Sequence, residues 1–126
     1  MSGRLIGLGI DVVDIPRFRE VMRRRPALAE RLFSPDELAY AATLSNPAPT
    51  LAGRFAAKEA VMKALGVGLG AVDWKDISVQ RLAGGAPELA VQGRAAELAR
   101  KFGVSSWKMS ISHTDTVATV TVVALT

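Results

Sequence analysis

The chain has 126 residues, 16 lysines and arginines against 12 aspartates and glutamates, and 49% hydrophobic residues, which is the size and apolar content of one domain, 1–126, with its own core. No cysteine and a single histidine are present, excluding a disulfide framework, a thiolate metal site and a multi-histidine centre within one chain. Any metal must be a hard cation held by oxygen.

Leu5 to Val13 (LIGLGIDVV) is β-branched and apolar apart from Gly7, Gly9 and Asp11, so it predicts a buried strand in which the aspartate needs a partner. Asp11 ends the apolar run too soon for a signal peptide, and nothing approaches the ~18 apolar residues of a membrane span. The expectation is a cytoplasmic protein with no membrane insertion. Pro16 suits the first turn of a helix running to about Arg24, capped by Asp14. Arg17, Arg19, Arg23, Arg24 and Arg25 crowd this region with only Glu20 against them, a charge pattern that attracts an acidic partner or lies solvated.

Pro26 opens another short helix, and Ser34 with Glu37 three residues later forms a capping box for a third, to about Thr43. Asn46 to Thr50 reads as a loop. Arg54 to Gly66 (RFAAKEAVMKALG) then predicts a long helix without an ordinary polar face. Leu51, Phe55, Met62 and Leu65 form one apolar stripe, and Gly53, Ala56, Ala57, Ala60 and Ala64 cover the opposite side. The charges Arg54, Lys58, Glu59 and Lys63 are therefore expected to face a shared ligand, a metal or one another, because an unpaired buried charge costs several kcal/mol. Gly66, Gly68 and Gly70 end the helix in a glycine-rich turn.

In the second half, Asp76 to Leu82 and Glu88 to Val91 predict a hairpin around Gly84-Gly85. Arg94 to Phe102 predicts a helix with Leu98 and Phe102 on its inner face. Trp107 to His113 alternates, with Trp107, Met109, Ile111 and His113 on one face, and Val117 to Leu125 is a last strand. The fold class is α+β, a mostly antiparallel sheet packed against a long central helix.

Asp11 and Glu59 are the best carboxylate pair for a cation, and Mg²⁺ takes one or two carboxylates with substrate phosphates and water. The plainer alternative pairs Glu59 with Lys63 along the helix and satisfies Asp11 on backbone. Lys58, Lys63, Arg54 and His113 form the cationic half suited to a phosphate-rich ligand, although His113 alone is readily satisfied by Ser112 or Thr114. No Walker or dinucleotide glycine fingerprint is present.

Gly9 to Arg17 (GIDVVDIPR), Arg54 to Gly66 and Ser110 to Thr114 (SISHT) together resemble the signature blocks of the holo-acyl-carrier-protein synthases, the small bacterial class of 4′-phosphopantetheinyl transferases. Val117 stands where relatives commonly carry an aromatic residue. The resemblance implies transfer of 4′-phosphopantetheine from coenzyme A to a serine of apo-acyl carrier protein in fatty acid biosynthesis, releasing adenosine 3′,5′-bisphosphate. It implies Mg²⁺ held by Asp11 and Glu59, with Lys63 close by, and Glu59, directly or through a metal-bound water, as candidate base. Arg54, Lys58, Lys63 and His113 then meet coenzyme A, and Arg17, with Arg23 and Arg24, docks the carrier. It also implies the family's fold and a homotrimer with sites between subunits. A small nucleic-acid-binding module explains the basic excess but leaves Asp11 and Glu59 without a purpose. A magnesium-dependent phosphohydrolase uses the same site with water as nucleophile.

Overall fold

Small and large residues alternate along the first strand, and that alternation decides which of its faces meets the rest of the chain. The computed structural model describes residues 3–81 and 83–126. Strand β1 (Leu5–Asp14) runs into helices α1 (Ile15–Arg24), α2 (Ala27–Leu32), α3 (Pro35–Ala42) and α4 (Ala48–Leu65). A 3₁₀ turn at Trp74–Asp76 precedes the hairpin β2 (Ile77–Arg81) and β3 (Pro87–Val91), then come α5 (Gly93–Lys101), β4 (Ser106–His113) and β5 (Val117–Leu125). The fold is α+β, and both sheets are antiparallel: β1-β5-β4 and β2-β3. The expected strand end at Leu82 lies outside the described residues.

Strand β5 is the middle strand, with Ala118, Val120, Val122 and Ala124 buried. Gly7, Gly9, Asp11 and Val13 of β1 are paired with those four, as are Trp107, Met109, Ile111 and His113 of β4. Residues directly opposite in an antiparallel pair point the same way, so all of these share the side covered by α4. The β1 glycines are what let the helix in: a Cβ at Gly9 would overlap the carbonyl oxygen of Ala60, and one at Gly7 that of Ala64.

The other face of β1 corrects the sequence expectation. Ile6, Leu8, Ile10 and Val12 are exposed, three of them by more than half (59%, 56% and 62% for Leu8, Ile10 and Val12). β1 is an edge strand, and among the described residues no second layer covers its outer side.

Helix α4 is packed on both sides, as its sequence predicts, with Ala52, Ala56, Ala57, Ala60 and Val61 fully buried. It starts at Ala48, inside the segment expected to be a loop, because Pro47 at the cap and Pro49 in the first turn have no N–H to lose there. Gly66 closes it at φ 71°, the left-handed conformation glycine adopts without strain. Asp14 caps α1 by accepting from the Arg17 N–H, and Ser34 and Glu37 form the expected capping box. Helix α5 differs: Ala95 and Ala99 are its buried residues, and Phe102 is its 41% exposed C-cap, past the last turn that could turn it inward. A second core unites Ile15, Phe18, Leu32 and Phe33 with Ala52 and Ala118.

Candidate active site

Asp11 points from β1 toward the second half of α4, where Glu59 and Lys63 stand one turn apart on the same side. The Lys63 ammonium donates to Asp11 Oδ1 at 2.9 Å and to the Ile10 carbonyl at 3.0 Å. The helix-internal Glu59–Lys63 pair is therefore not what organises this place; the lysine crosses to the strand. Burial raises the Glu59 pKa, the Asp11 charge adds to the rise, and Lys63 opposes it. The contact with Asp11 raises the Lys63 pKa.

Asp11, Glu59 and Arg17 line one cleft of about 630 Å³, walled by Phe18, Phe55 and Trp74. Phe55 stacks on Trp74 with ring centres 5.3 Å apart, and Phe18 lies 5.9 Å from Phe55. Two oxygen donors with mutually repelling charges in a partly buried cleft suit a hard divalent cation. Among the described residues no group of three or more Asp, Glu or His side chains is placed to hold a metal ion. Arg23 and Arg24 stand further along α1, both exposed and both bonded to Glu20 at 2.6 and 2.9 Å. Among the described residues no helix is long and apolar enough to cross a membrane.

Lys58 requires a correction. It is fully buried, and its ammonium donates to Glu37 Oε1 at 2.8 Å, to the Trp74 carbonyl at 3.1 Å and to the Ile77 carbonyl. An ammonium has three donors, and all three are taken. Lys58 is thus a structural tie between α3, α4 and the start of β2, with nothing left to offer a phosphate. Its partner Glu37 was visible in the sequence only as a capping residue; the long-range bond is a product of packing.

Arg54 and His113 come together, but away from the carboxylates. From Arg54 to Glu59 the helix turns by about 140°, so the two project from different sides of α4. Arg54, His113 and Thr50 line a cleft of about 250 Å³. On the sheet, Asp11 and His113 stand on opposite edge strands with β5 between, opposite Val120 and Ala118 respectively, and two strand spacings plus that two-residue offset put them about 12 Å apart in backbone terms. His113 is exposed and its Nδ1 lies 3.2 Å from the Thr114 carbonyl. The four charges of the central helix therefore do not converge within one chain. Sequence reading passed over Tyr40 and Arg81, which join Arg54: both guanidiniums lie over the Tyr40 ring, at 4.9 and 5.2 Å from its centre. No motif announces them, since α3 and β2 meet only in the fold.

The 4′-phosphopantetheinyl transferase superfamily model matches residues 7–121. The holo-[acyl-carrier-protein] synthase of Moorella thermoacetica is 46% identical over 109 residues, covering 86% of this chain and 85% of that protein. That of Streptomyces coelicolor is 45% identical over 120 residues, covering 95% and 97%. Among solved structures, the Neisseria meningitidis holo-[acyl-carrier-protein] synthase superposes with a TM-score of 0.87 at 32% identity, covering 96% of this chain and 98% of that one. The Helicobacter pylori enzyme in complex with coenzyme A gives 0.77 at 33%, covering 93% and 98%.

Proposed function

The chain belongs to the 4′-phosphopantetheinyl transferase superfamily, and from that membership we propose a holo-[acyl-carrier-protein] synthase. It transfers the 4′-phosphopantetheine arm of coenzyme A to a serine of apo-acyl carrier protein, in the cytoplasm and for fatty acid biosynthesis. The observation that carries this reading is the cleft in which Asp11 and Glu59 lie together with Arg17, a pair of oxygen donors beside a cation suited to an acidic carrier.

Asp11 and Glu59 are the residues that would hold Mg²⁺, which when bound supplies neutralisation of the pyrophosphate charge. The serine hydroxyl attacks the β-phosphorus. A new serine Oγ–phosphorus bond forms, the bond from that phosphorus to the bridging oxygen breaks, and adenosine 3′,5′-bisphosphate leaves. Glu59 takes the serine proton. Lys63 moves its ammonium from Asp11 toward the transferring phosphate and stabilises charge developing there.

Arg54 and His113 serve the nucleotide end, and their separation from Asp11 within one chain supports a site shared between copies. A homotrimer is the assembly the resemblance implies. The exposed face of Ile6, Leu8, Ile10 and Val12 supports it, being an apolar strip of the kind that marks a subunit contact. Arg17 docks the carrier at the rim of the cleft, and Arg23 and Arg24 steer its approach.

The test is incubation with Mg²⁺, coenzyme A and several apo-acyl carrier proteins, followed by mass spectrometry of the carrier. Gain of one phosphopantetheine mass is the expected result. Turnover of coenzyme A with no carrier modified would point instead to the phosphohydrolase.

A further inference from the structure

Helix α1 answers two of its arginines from within and leaves the others open. Among the described residues Arg17, Arg19 and Arg25 take part in no ion pair, whereas Glu20 binds both Arg23 and Arg24. Arg23 donates from Nε and from a terminal nitrogen to the two Glu20 oxygens, at 3.0 and 2.6 Å, and Arg24 Nε donates to Oε1 at 2.9 Å. One carboxylate thus holds two guanidiniums, the first in the two-point geometry that carboxylates favour with arginine. The Arg23 bond lowers the Glu20 pKa, desolvation opposes this, and Arg24 lowers it further.

Seven residues separate Arg17 from Arg24, which brings them within about 20° of each other around the helix axis and about 10 Å apart along it. Glu20 stands between them. Arg17 lines the cleft of Asp11 and Glu59, so a partner seated there and lying along α1 reaches Arg24 next and finds its guanidinium already bonded to a carboxylate. All three side chains of the cluster are open to solvent, 43% for Glu20, 69% for Arg23 and 71% for Arg24. Ion pairs at such exposure are weak, screened by salt and free to exchange. A carboxylate of the partner can therefore replace that of Glu20. A partner without one at the right spacing gains nothing from Arg24 and meets the Glu20 charge as repulsion.

We propose that Glu20 is a specificity-determining residue. It stands in for a carboxylate of the carrier, and only a partner with acidic groups about 10 Å apart, two turns along one helix, displaces it from Arg24 while engaging Arg17. The proposal rests on the transferase reading for the partner's identity, an acidic acyl carrier protein. Without Glu20 the arginines of α1 attract every polyanion more strongly, so discrimination falls as affinity rises.

The experiment measures transfer to an apo-acyl carrier protein by the full chain, with poly-L-glutamate as a competitor whose carboxylates have no fixed spacing. Glu20→Gln is expected to lower the Michaelis constant for the carrier by about threefold and the inhibition constant of poly-L-glutamate by about tenfold. The turnover number and the Michaelis constant for coenzyme A should stay unchanged. In an Arg23→Gln/Arg24→Gln background the same substitution should move the carrier constant by less than about 1.5-fold, because the stand-in acts only through those guanidiniums. An equal gain in that background would show plain repulsion and overturn the proposal. A carrier constant unmoved by Glu20→Gln, with a lowered melting temperature, is the mark of a helix-stabilising pair alone and would overturn it too. Equal gains for carrier and poly-L-glutamate would overturn the specificity role. If the wild type modifies no carrier, the transferase reading falls, and the stand-in is read from direct poly-L-glutamate binding: tighter binding by Glu20→Gln, lost in the Arg23→Gln/Arg24→Gln background, supports it, and any other pattern sinks it.

Discussion

Lys63 and Asp11, 52 positions apart in sequence, are joined by a 2.9 Å ion pair in which the carboxylate is 11% exposed and the lysine 54%. The bond fastens the second half of the central helix to the first strand and leaves Glu59, beside it, as the carboxylate whose ionisation is disfavoured. What this pairing and its surroundings require can be measured.

Because the folded pKa of Glu59 is raised, its protonated form favours folding; that contribution is full below the unfolded carboxylate pKa and is lost as pH rises through the folded one. Glu59→Gln, neutral at every pH, should therefore melt higher than the wild type at pH 7 in metal-free buffer, with the difference shrinking toward pH 4. Transfer by Glu59→Gln and by Asp11→Asn should fall by roughly a hundredfold or more. Equal melting temperatures across the whole pH range would contradict the strained carboxylate.

Gly9→Ala places a Cβ against the Ala60 carbonyl oxygen, an overpacking that typically costs roughly 1–3 kcal/mol. Since relief requires β1 to move off α4, carrying Asp11 with it, transfer should drop in the protein that remains folded. Urea unfolding and a transfer assay below the midpoint check both effects. A stable, fully active Gly9→Ala would mean that the strand does not position Asp11.

Lys58→Met strands Glu37 in a buried place, and breaking a buried pair by removing one partner costs roughly 3–5 kcal/mol. The expected outcome is a large loss in urea stability with an unchanged Michaelis constant for coenzyme A at low temperature. A rise in that constant without destabilisation would restore Lys58 to the phosphate set.

If each site draws Asp11 and Glu59 from one copy and Arg54 from the next, two dead variants rescue each other. Asp11→Asn and Arg54→Ala, co-refolded in equal amounts, should recover about a quarter of wild-type activity, the fraction of interfaces with both halves intact under random assembly. No recovery in mixed oligomers of proven composition would argue for sites within single chains. Ile10→Glu on the exposed face of β1 should lower the mass seen by light scattering and abolish transfer.

Arg17→Glu reverses a charge at the cleft rim. The Michaelis constant for the carrier should rise by about tenfold or more, with that for coenzyme A moving far less. Comparable rises in both would remove the arginine from carrier docking.

Much of the secondary structure was legible because it is locally encoded. The Asp14 cap, the Ser34–Glu37 box and the Gly66 terminus are backbone devices whose partners lie within a few residues. The alternation of Trp107 to His113 likewise survives as one face of β4. Where local rules had two outcomes, they misled: the prolines near residue 48 start a helix as well as they make a loop, and an apolar run such as β1 fits a buried strand as well as an edge strand with one exposed face.

The sequence by itself determined that the central helix has no wet face and that its charges must be answered, because helical periodicity and the cost of an unpaired buried charge are fixed by residue order. Only the tertiary structure decided how they are answered. Lys58 turns inward to Glu37, Lys63 crosses to Asp11, and Arg54 rests on Tyr40 beside Arg81. The reason is rotation about one helix axis: five residues carry Arg54 and Glu59 about 140° apart, and which neighbours wait on each side depends on how α3, β1 and β2 pack around it.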